Sequence, residues 1–253
     1  LGNDYIVLLE DELAFKLAAA NIKLICDRHF GIGSDGILLV TKQKPKNADF
    51  GLRIFNPDGS EAEKSGNGLR IFAKFLFDHG YLNGVGNSFT VATKGGIVKI
   101  KISAENNVAR EISVDMGKAT FVSSEIPVAG DRREVVNEEL AVGSGSDKKV
   151  FVVTCVSVGN PHCVVFVDKL DERQLRHYGQ LIENHKSFPS RINVQFAKVL
   201  SPMEISILIW ERGAGWTLAS GSSSCAVAAA AVKNKLAGNN VKVKMPGGSL
   251  KIA

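Results

Sequence analysis

Two serines head two copies of one pattern. Ser65 ends the stretch Phe55-Asn56-Pro57-Asp58-Gly59-Ser60-Glu61-Ala62-Glu63-Lys64-Ser65 and is followed by Gly66-Asn67-Gly68. Ser220 ends Trp210-Glu211-Arg212-Gly213-Ala214-Gly215-Trp216-Thr217-Leu218-Ala219-Ser220 and is followed by Gly221-Ser222-Ser223. Each copy runs from an aromatic residue through a polar turn to Ser-Gly, then into an apolar segment. Trp210 lies 155 residues after Phe55, and Ser220 lies 155 residues after Ser65. Such stretches read as helix N-termini. Their unpaired backbone N–H groups carry partial positive charge, so they bind carboxylates and stabilise developing negative charge. Two such termini related by a repeat could face one carbon from opposite sides. That arrangement suits taking a proton from one face of a stereocentre and returning it to the other. Taken alone, either serine is better read as an N-cap, for which serine is among the best residues; the matched pair weakens that reading.

The elements that must carry these termini follow from periodicity. Residues 4–10 read as a strand, 13–29 as a helix with apolar residues at helical spacing, 30–36 as a glycine-rich turn, and 37–40 and 49–55 as strands. A helix over 66–79 follows, then a hairpin of 88–93 with 97–102 about Gly95-Gly96, and a strand over 109–116. The second half repeats this grammar. Strands are expected over 149–158 and 163–167, a helix over 171–185, strands over 194–199 and 204–210, an alanine-dominated helix over 222–236, and a hairpin of 241–245 with 249–252 about Pro246-Gly247-Gly248. The repeat is far longer than a solenoid unit, so it reads as a duplicated domain. The expected organisation is α/β (α+β), with two pseudo-symmetric domains, 1–118 and 119–253; the last strand could pair with either half.

Composition narrows the function. With 253 residues, 45% hydrophobic and 23% charged, the chain can bury real cores. The net charge of +5 invites a polyanion partner, but Lys and Arg are scattered with no basic run of five, which argues against nucleic acid. Cys26, Cys155, Cys163 and Cys225 show no C-x-x-C pair, as expected for reduced, mostly buried thiols in a cytoplasmic protein. No apolar run reaches the eighteen or so residues of a membrane span, and no signal peptide is visible, so no membrane partner is expected. No P-loop, no G-x-G-x-x-G after a strand and no His/Cys ligand cluster occurs, so no nucleotide, metal or PLP cofactor is expected. The chain starts at Leu1 without Met, and an absent N-terminal piece is the expectation.

Eight motifs in order make a resemblance specific: Gly2-Asn3-Asp4-Tyr5, Phe30-Gly31-Ile32-Gly33-Ser34-Asp35-Gly36, Phe55-Asn56-Pro57-Asp58-Gly59-Ser60, Gly66-Asn67-Gly68, Gly159-Asn160-Pro161-His162, Arg191-Ile192-Asn193, Glu211-Arg212-Gly213-Ala214-Gly215 and Pro246-Gly247-Gly248. Together they resemble diaminopimelate epimerase, a PLP-independent amino-acid epimerase of lysine and peptidoglycan precursor synthesis, over essentially the whole chain. The resemblance implies two similar domains, each a mixed or antiparallel sheet wrapped round a central helix, with the site in the cleft between them. It implies a small amino-acid substrate, no cofactor and, weakly, a homodimer. It also implies a two-base mechanism with cysteines at the two helix N-termini, where a lowered thiol pKa lets one act as thiolate and the other as thiol.

By the same resemblance, His162 and Glu211 assist the two bases. Gly66, Asn67, Gly221 and Ser222 offer donors to the reacting α-carboxylate. Asn56, Asn160, Asn193 and Arg212 hold the distal amino-acid end, the Arg212 guanidinium matching both oxygens of a carboxylate, and Asn3 lies near the substrate. Without the resemblance, His162 reads as a loop histidine with a satisfied hydrogen bond, and the asparagines as turn formers.

The departure lies at the two bases, where Ser65 and Ser220 stand in place of the family's cysteines. A hydroxyl is a far weaker acid than a thiol, so the chain is expected to epimerise very slowly or not at all. Two accounts compete: both cysteines replaced to give an inert form that still holds substrate, or a natural divergent member with a different reaction or a binding role. Readings beside the inert scaffold are therefore an amino-acid racemase or isomerase of other specificity and a non-catalytic amino-acid-binding protein. Cys225, inside the alanine helix, and Cys163, in its strand, are expected to be packed rather than catalytic. Trp216 stands where the family has a small or acidic residue and is expected to narrow the site or alter substrate choice. Ser223 and Ser224 replace the glycine or threonine and the alanine of the family, with little expected effect. The chain stops at Ala253, where the family continues with a further strand pair, so trimmed or disordered ends are expected.

Overall fold

A computed structural model describes residues 1–253, which divide into two compact units. One comprises Asn3–Met116; the other comprises Gly117–Ala253 together with Leu1–Gly2.

The first unit holds β1 (Ile6–Leu9), α1 (Ala19–Cys26), β2 (Ile37–Val40), β3 (Phe50–Phe55), β4 (Glu61–Ala62), α2 (Gly66–Asp78), β5 (Ser88–Thr93), β6 (Gly96–Glu105) and β7 (Val108–Val114). Its mixed sheet runs β1-β2-β3-β5-β6-β7, with β4 also paired to β3. Side chains alternate between the faces of a strand, and a helix covers each face. Leu38, Leu52, Ile54, Val91 and Ile100 meet Leu69, Phe72, Ala73 and Leu76 of α2. Ile37, Leu39 and Phe55 meet Ile22 and Cys26 of α1 on the other face. That is why Ile37-Leu38-Leu39 is apolar without alternation.

The second unit holds β8 (Glu138–Val142), β9 (Lys149–Ser157), β10 (Pro161–Phe166), α3 (Glu172–Glu183), β11 (Asn193–Ser201), β12 (Glu204–Glu211), β13 (Gly215–Thr217), α4 (Gly221–Lys233), β14 (Val241–Met245) and β15 (Gly248–Ile252). Its sheet runs β15-β14-β12-β11-β10-β9-β8, with β13 on β12. Val164, Ile205, Ile207, Ile209 and Val243 pack on the alanine face of α4. Cys155, Cys163, Val165, Val194 and Phe196 pack on Leu175 and Ile182 of α3.

The order β1-α1-β2-β3-β4-α2-β5-β6 recurs as β10-α3-β11-β12-β13-α4-β14-β15, with the same parallel and antiparallel pairings. β7 is added to one copy, and β8 and β9 to the other. The glycine hairpins serve one purpose in both. Gly95 N–H donates to Glu63 O at 3.0 Å, and Gly247 N–H donates to Leu218 O at 2.8 Å. Each acceptor lies two residues before the capping serine. Neither glycine can carry a side chain: a Cβ would come within 2.9 Å of Glu63 O at Gly95, and within 2.6 Å of Leu1 O at Gly247.

The helix expected over 13–29 is only Ala19–Cys26. Ala18 is extended, and Asp27 Oδ1 takes the N–H groups of His29 and Phe30 at 2.8 Å each, which ends the helix and begins the glycine turn. Strand 4–10 is trimmed to Ile6–Leu9. The alanine helix ends at Lys233, followed by Lys235 with φ 59°. β4, β8 and β13 were not expected. β4 and β13 are too short for a periodic signal, and only Leu140 and Val142 of β8 face the core. No helix is long and apolar enough to cross a membrane.

Candidate active site

Ser65 is the N-cap of α2. Its backbone is extended (φ −140°, ψ 114°), and its Oγ accepts the Gly68 N–H at 3.0 Å. The Tyr5 hydroxyl lies 3.3 Å from the same Oγ. Gly36 leaves room for that phenol, since a Cβ there would sit 2.8 Å from the Tyr5 ring. Gly66, Asn67 and Gly68 are buried in the first turn. Asn67 donates through Nδ2 to Asn3 Oδ1 and accepts from Arg70 at its own Oδ1. Asn3 in turn donates to Asp35 at 2.9 Å, and Arg28 bridges Asp35 and Asp4 at 2.8 and 2.7 Å. The Arg28 guanidinium holds the Asp4 carboxyl below its ordinary pKa. The glycine turn is thus tied through Asn3 to the start of α2. Asn56 instead closes its own turn, donating to Ser60 Oγ at 2.9 Å.

Ser220 is the N-cap of α4, again extended (φ −147°, ψ 129°), and its Oγ accepts the Ser223 N–H at 3.4 Å. Ser222 Oγ lies 3.4 Å away. Burial raises the Glu211 pKa, and the nearby Ser220 hydroxyl only partly offsets that. Ser220 N–H and Ser224 Oγ both donate to Met245 Sδ, at 3.4 and 3.3 Å, so the residue before Pro246-Gly247-Gly248 seats the capping turn.

His162 is fully buried on β10. Its Nε2 lies 2.8 Å from Asn160 Oδ1, and its Nδ1 lies 3.1 Å from Gln195 Nε2. A carbonyl oxygen accepts and an amide nitrogen donates, so the ring is neutral with its proton on Nε2. Burial pushes the His162 pKa down to about 3, and the positive charge of Arg212 adds to the fall. Gln195 Nε2 also donates to Ser223 Oγ at 3.0 Å, which links the histidine to the first turn of α4. Asn193 donates to Pro161 O at 2.8 Å and accepts the Arg212 N–H at 3.0 Å. The Arg212 guanidinium reaches Ser190 O at 3.1 Å and is otherwise directed outward from an exposed turn.

In the first unit, then, Asn3, Ser65, Gly66 and Asn67 come together, with Asn56 apart. In the second, Ser220, Gly221, Ser222 and Glu211 form one group, and Asn160, His162, Asn193 and Arg212 another. Trp216 does not narrow the Ser220 terminus: it packs on the α3 side of the sheet, with the Arg176 guanidinium 4.9 Å over its ring, whereas α4 covers the opposite face. Cys163 is fully buried, and Cys225 packs against the α4 core.

The sequence matches the profile of the family "Diaminopimelate epimerase" over residues 1–122 and 154–253. A "Diaminopimelate epimerase 2" of Nostoc sp. is 50% identical over 252 residues, covering 100% of this chain and 85% of the relative. The chain belongs to the diaminopimelate epimerase family. A diaminopimelate epimerase of Pelotomaculum thermopropionicum is 41% identical over 99% of this chain and 87% of its own length. Among solved structures, a probable proline racemase from Agrobacterium radiobacter aligns with TM-score 0.66 at 15% identity, over 90% of this chain and 70% of that one. A hydroxyproline epimerase from Agrobacterium vitis aligns with TM-score 0.65 over 90% and 69%. At such identities these two establish the fold alone.

The diaminopimelate epimerase motifs do not single out Tyr5, Gln195, Glu183 or Met245. Tyr5 lies inside the first motif, and Gln195 follows Asn193 by two, on the same face of β11; both signals were legible. Glu183 and Met245 have no local signal, since their partners lie 27 and 25 residues away in sequence.

Proposed function

We propose that this chain is a diaminopimelate epimerase scaffold, built to interconvert LL- and meso-diaminopimelate by two-base proton transfer at the α-carbon. Ser65 and Ser220 hold the two acid–base positions, and the hydroxyls in place of thiols make this form nearly inert. The reading rests above all on the matched capping of α2 and α4. Each helix begins with a serine oxygen bound to the N–H three residues on, at equivalent points of the repeat.

In the reaction, one position removes the α-proton and the other delivers a proton to the opposite face. The carbanion's charge spreads onto the α-carboxylate, where first-turn N–H groups and Asn67 strengthen their donation. Glu211, uncharged more readily than an ordinary glutamate, exchanges a proton with the group at position 220. His162 stays neutral and donates through Nε2, orienting Asn160. Arg212 reads the distal carboxylate, with Asn193 fixing its backbone. A thiol near pKa 8.5 supplies an anion at neutral pH, whereas a serine hydroxyl scarcely does. The ligand is thus a free amino acid, the setting cytoplasmic, and the pathway lysine and peptidoglycan precursor synthesis.

The test is conversion of LL- to meso-diaminopimelate by the unsubstituted chain and by a Ser65→Cys/Ser220→Cys form. The expected result is background turnover for the first and at least about 100-fold more for the second. Equal turnover by both contradicts the reading.

A further inference from the structure

Glu183 closes α3 as a buried side chain, 5% exposed, and no step described so far uses it. Its carboxylate faces three donors and no acceptor. Oε2 accepts from Trp210 Nε1 at 2.8 Å, while Oε1 accepts from Gly213 N–H at 2.8 Å and from Arg191 at 3.1 Å. These partners bracket one segment. Trp210 is the penultimate residue of β12, Gly213 follows Arg212, and the two residues between them are Glu211 and Arg212. Arg191, held at φ 55°, lies beside Ser190, whose carbonyl takes the Arg212 guanidinium.

The same segment is fixed from below. Trp210 seats directly on α3 at Gly179, one helical turn before Glu183. A Cβ on Gly179 would lie 2.9 Å from both Cβ and Cγ of Trp210. A missing side chain therefore sets the depth of the indole, and Glu183 sets its rotation. Asn193 accepts the Arg212 N–H from the other side. The turn of Glu-Arg-Gly-Ala-Gly is closed by the Ala214 N–H on Glu211 O at 3.1 Å and by the pairing of Glu211 with Gly215, and the three anchors at Trp210, Arg212 and Gly213 fix where its two functional side chains emerge.

We infer that Glu183 is a positioning residue: its carboxylate clamps Trp210, Gly213 and Arg191 so that the turn presents Arg212 to a ligand carboxylate while Glu211 stays near Ser220. This rests on the proposed reading of Arg212. The clamp works by directed acceptance, so an amide in its place fails in a defined way. Glu183→Gln keeps one acceptor for Gly213 but points an NH₂ donor at the Trp210 N–H donor. Removing that N–H as well, in Glu183→Gln/Trp210→Phe, relieves the conflict.

The experiment is calorimetric titration of the unsubstituted chain and its variants with diaminopimelate and with lysine, which lacks one carboxylate. The preference for diaminopimelate is the readout, with the melting temperature measured separately. Glu183→Gln is expected to cut the preference about tenfold, the scale of one unsatisfied buried polar group. The Trp210→Phe addition is expected to recover part of it, and Gly179→Ala, which leaves the carboxylate intact but displaces the indole, to cut it by less. Should Glu183→Gln fail to fold, the double variant and Gly179→Ala decide. Lower melting temperatures with an unchanged preference overturn the inference and leave the Arg212 reading standing. An unsubstituted chain that binds both amino acids alike overturns both.

Discussion

The N-terminus of α2 and that of α4 share a backbone and differ in what surrounds it. Both head helices of 13 residues, both are capped by serine, and both are braced by a glycine hairpin bonded two residues upstream. At the α2 terminus the Tyr5 phenol lies against Ser65, and Asn67 in the first turn bonds the Asn3 amide and the Arg70 guanidinium. Around Ser220 stand a carboxyl of raised pKa, a second hydroxyl and a thioether. The helices differ too: α2 buries Leu69, Phe72 and Leu76, and α4 buries mainly alanine. A duplicated fold constrains the chain path to each terminus, because hairpin, cap and strand must close on one another. It leaves the side chains about the cap free to diverge.

The largest expected effect breaks the packing half of that comparison. Phe72→Ala empties a fully buried site under α2 and is expected to cost about 3–5 kcal/mol in denaturant unfolding. At α4 the sensitivity is to excess: Ala230→Leu is expected to cost about 1–3 kcal/mol by overpacking. If truncation and enlargement prove interchangeable between the helices, the contrast is wrong.

Electrostatics gives the next effect. His162 has a folded pKa well below its ordinary 6.5, so the unfolded chain binds the extra proton first. Its contribution is complete above pH 6.5 and is lost as pH falls toward 3. Between pH 6.5 and 5 the loss is about 1.6 kcal/mol. Subtracting the unfolding profile of His162→Gln from that of the unsubstituted chain isolates this slope, and identical profiles would refute the neutral, buried ring. Glu211 has the opposite sense. Its raised folded pKa gives stability that is present below pH 4.5 and lost as pH rises through the folded value. Glu211→Gln is therefore expected to stabilise the chain at neutral pH, with the gain vanishing in acid. The smallest effect concerns the phenol. In a Ser65→Cys background, Tyr5→Phe is expected to raise the thiol pKa by about half a unit to one unit, read from the pH dependence of alkylation. The same change in a Ser220→Cys background should leave that thiol unmoved.

Much of this was legible in the sequence. The 155-residue offset disclosed the duplication, and the glycine pairs disclosed both hairpins. The capping serines were legible because an N-cap is a local device, set by residues within one turn. The failures were non-local. Helix 13–29 shrank at its start, where Ala18 is extended, and at its end, where the Asp27 side chain stops α1, and apolar spacing reveals neither. Trp216 looked like a site residue from its place near Ser220, yet strand alternation sends it to the α3 face with Trp210. Glu183 was invisible because its three partners come from 8 to 30 residues away and meet only when α3 docks on β12.

The central claim is that the two serine-capped termini are the two members of one acid–base pair. Deuterium incorporation at the α-carbon of diaminopimelate in D₂O, followed for Ser65→Cys, Ser220→Cys and the double variant, tests it most directly. The expected result is rapid exchange with inversion in the double variant, and far slower inversion in either single variant. A single cysteine that inverts diaminopimelate as fast as the pair would contradict the claim.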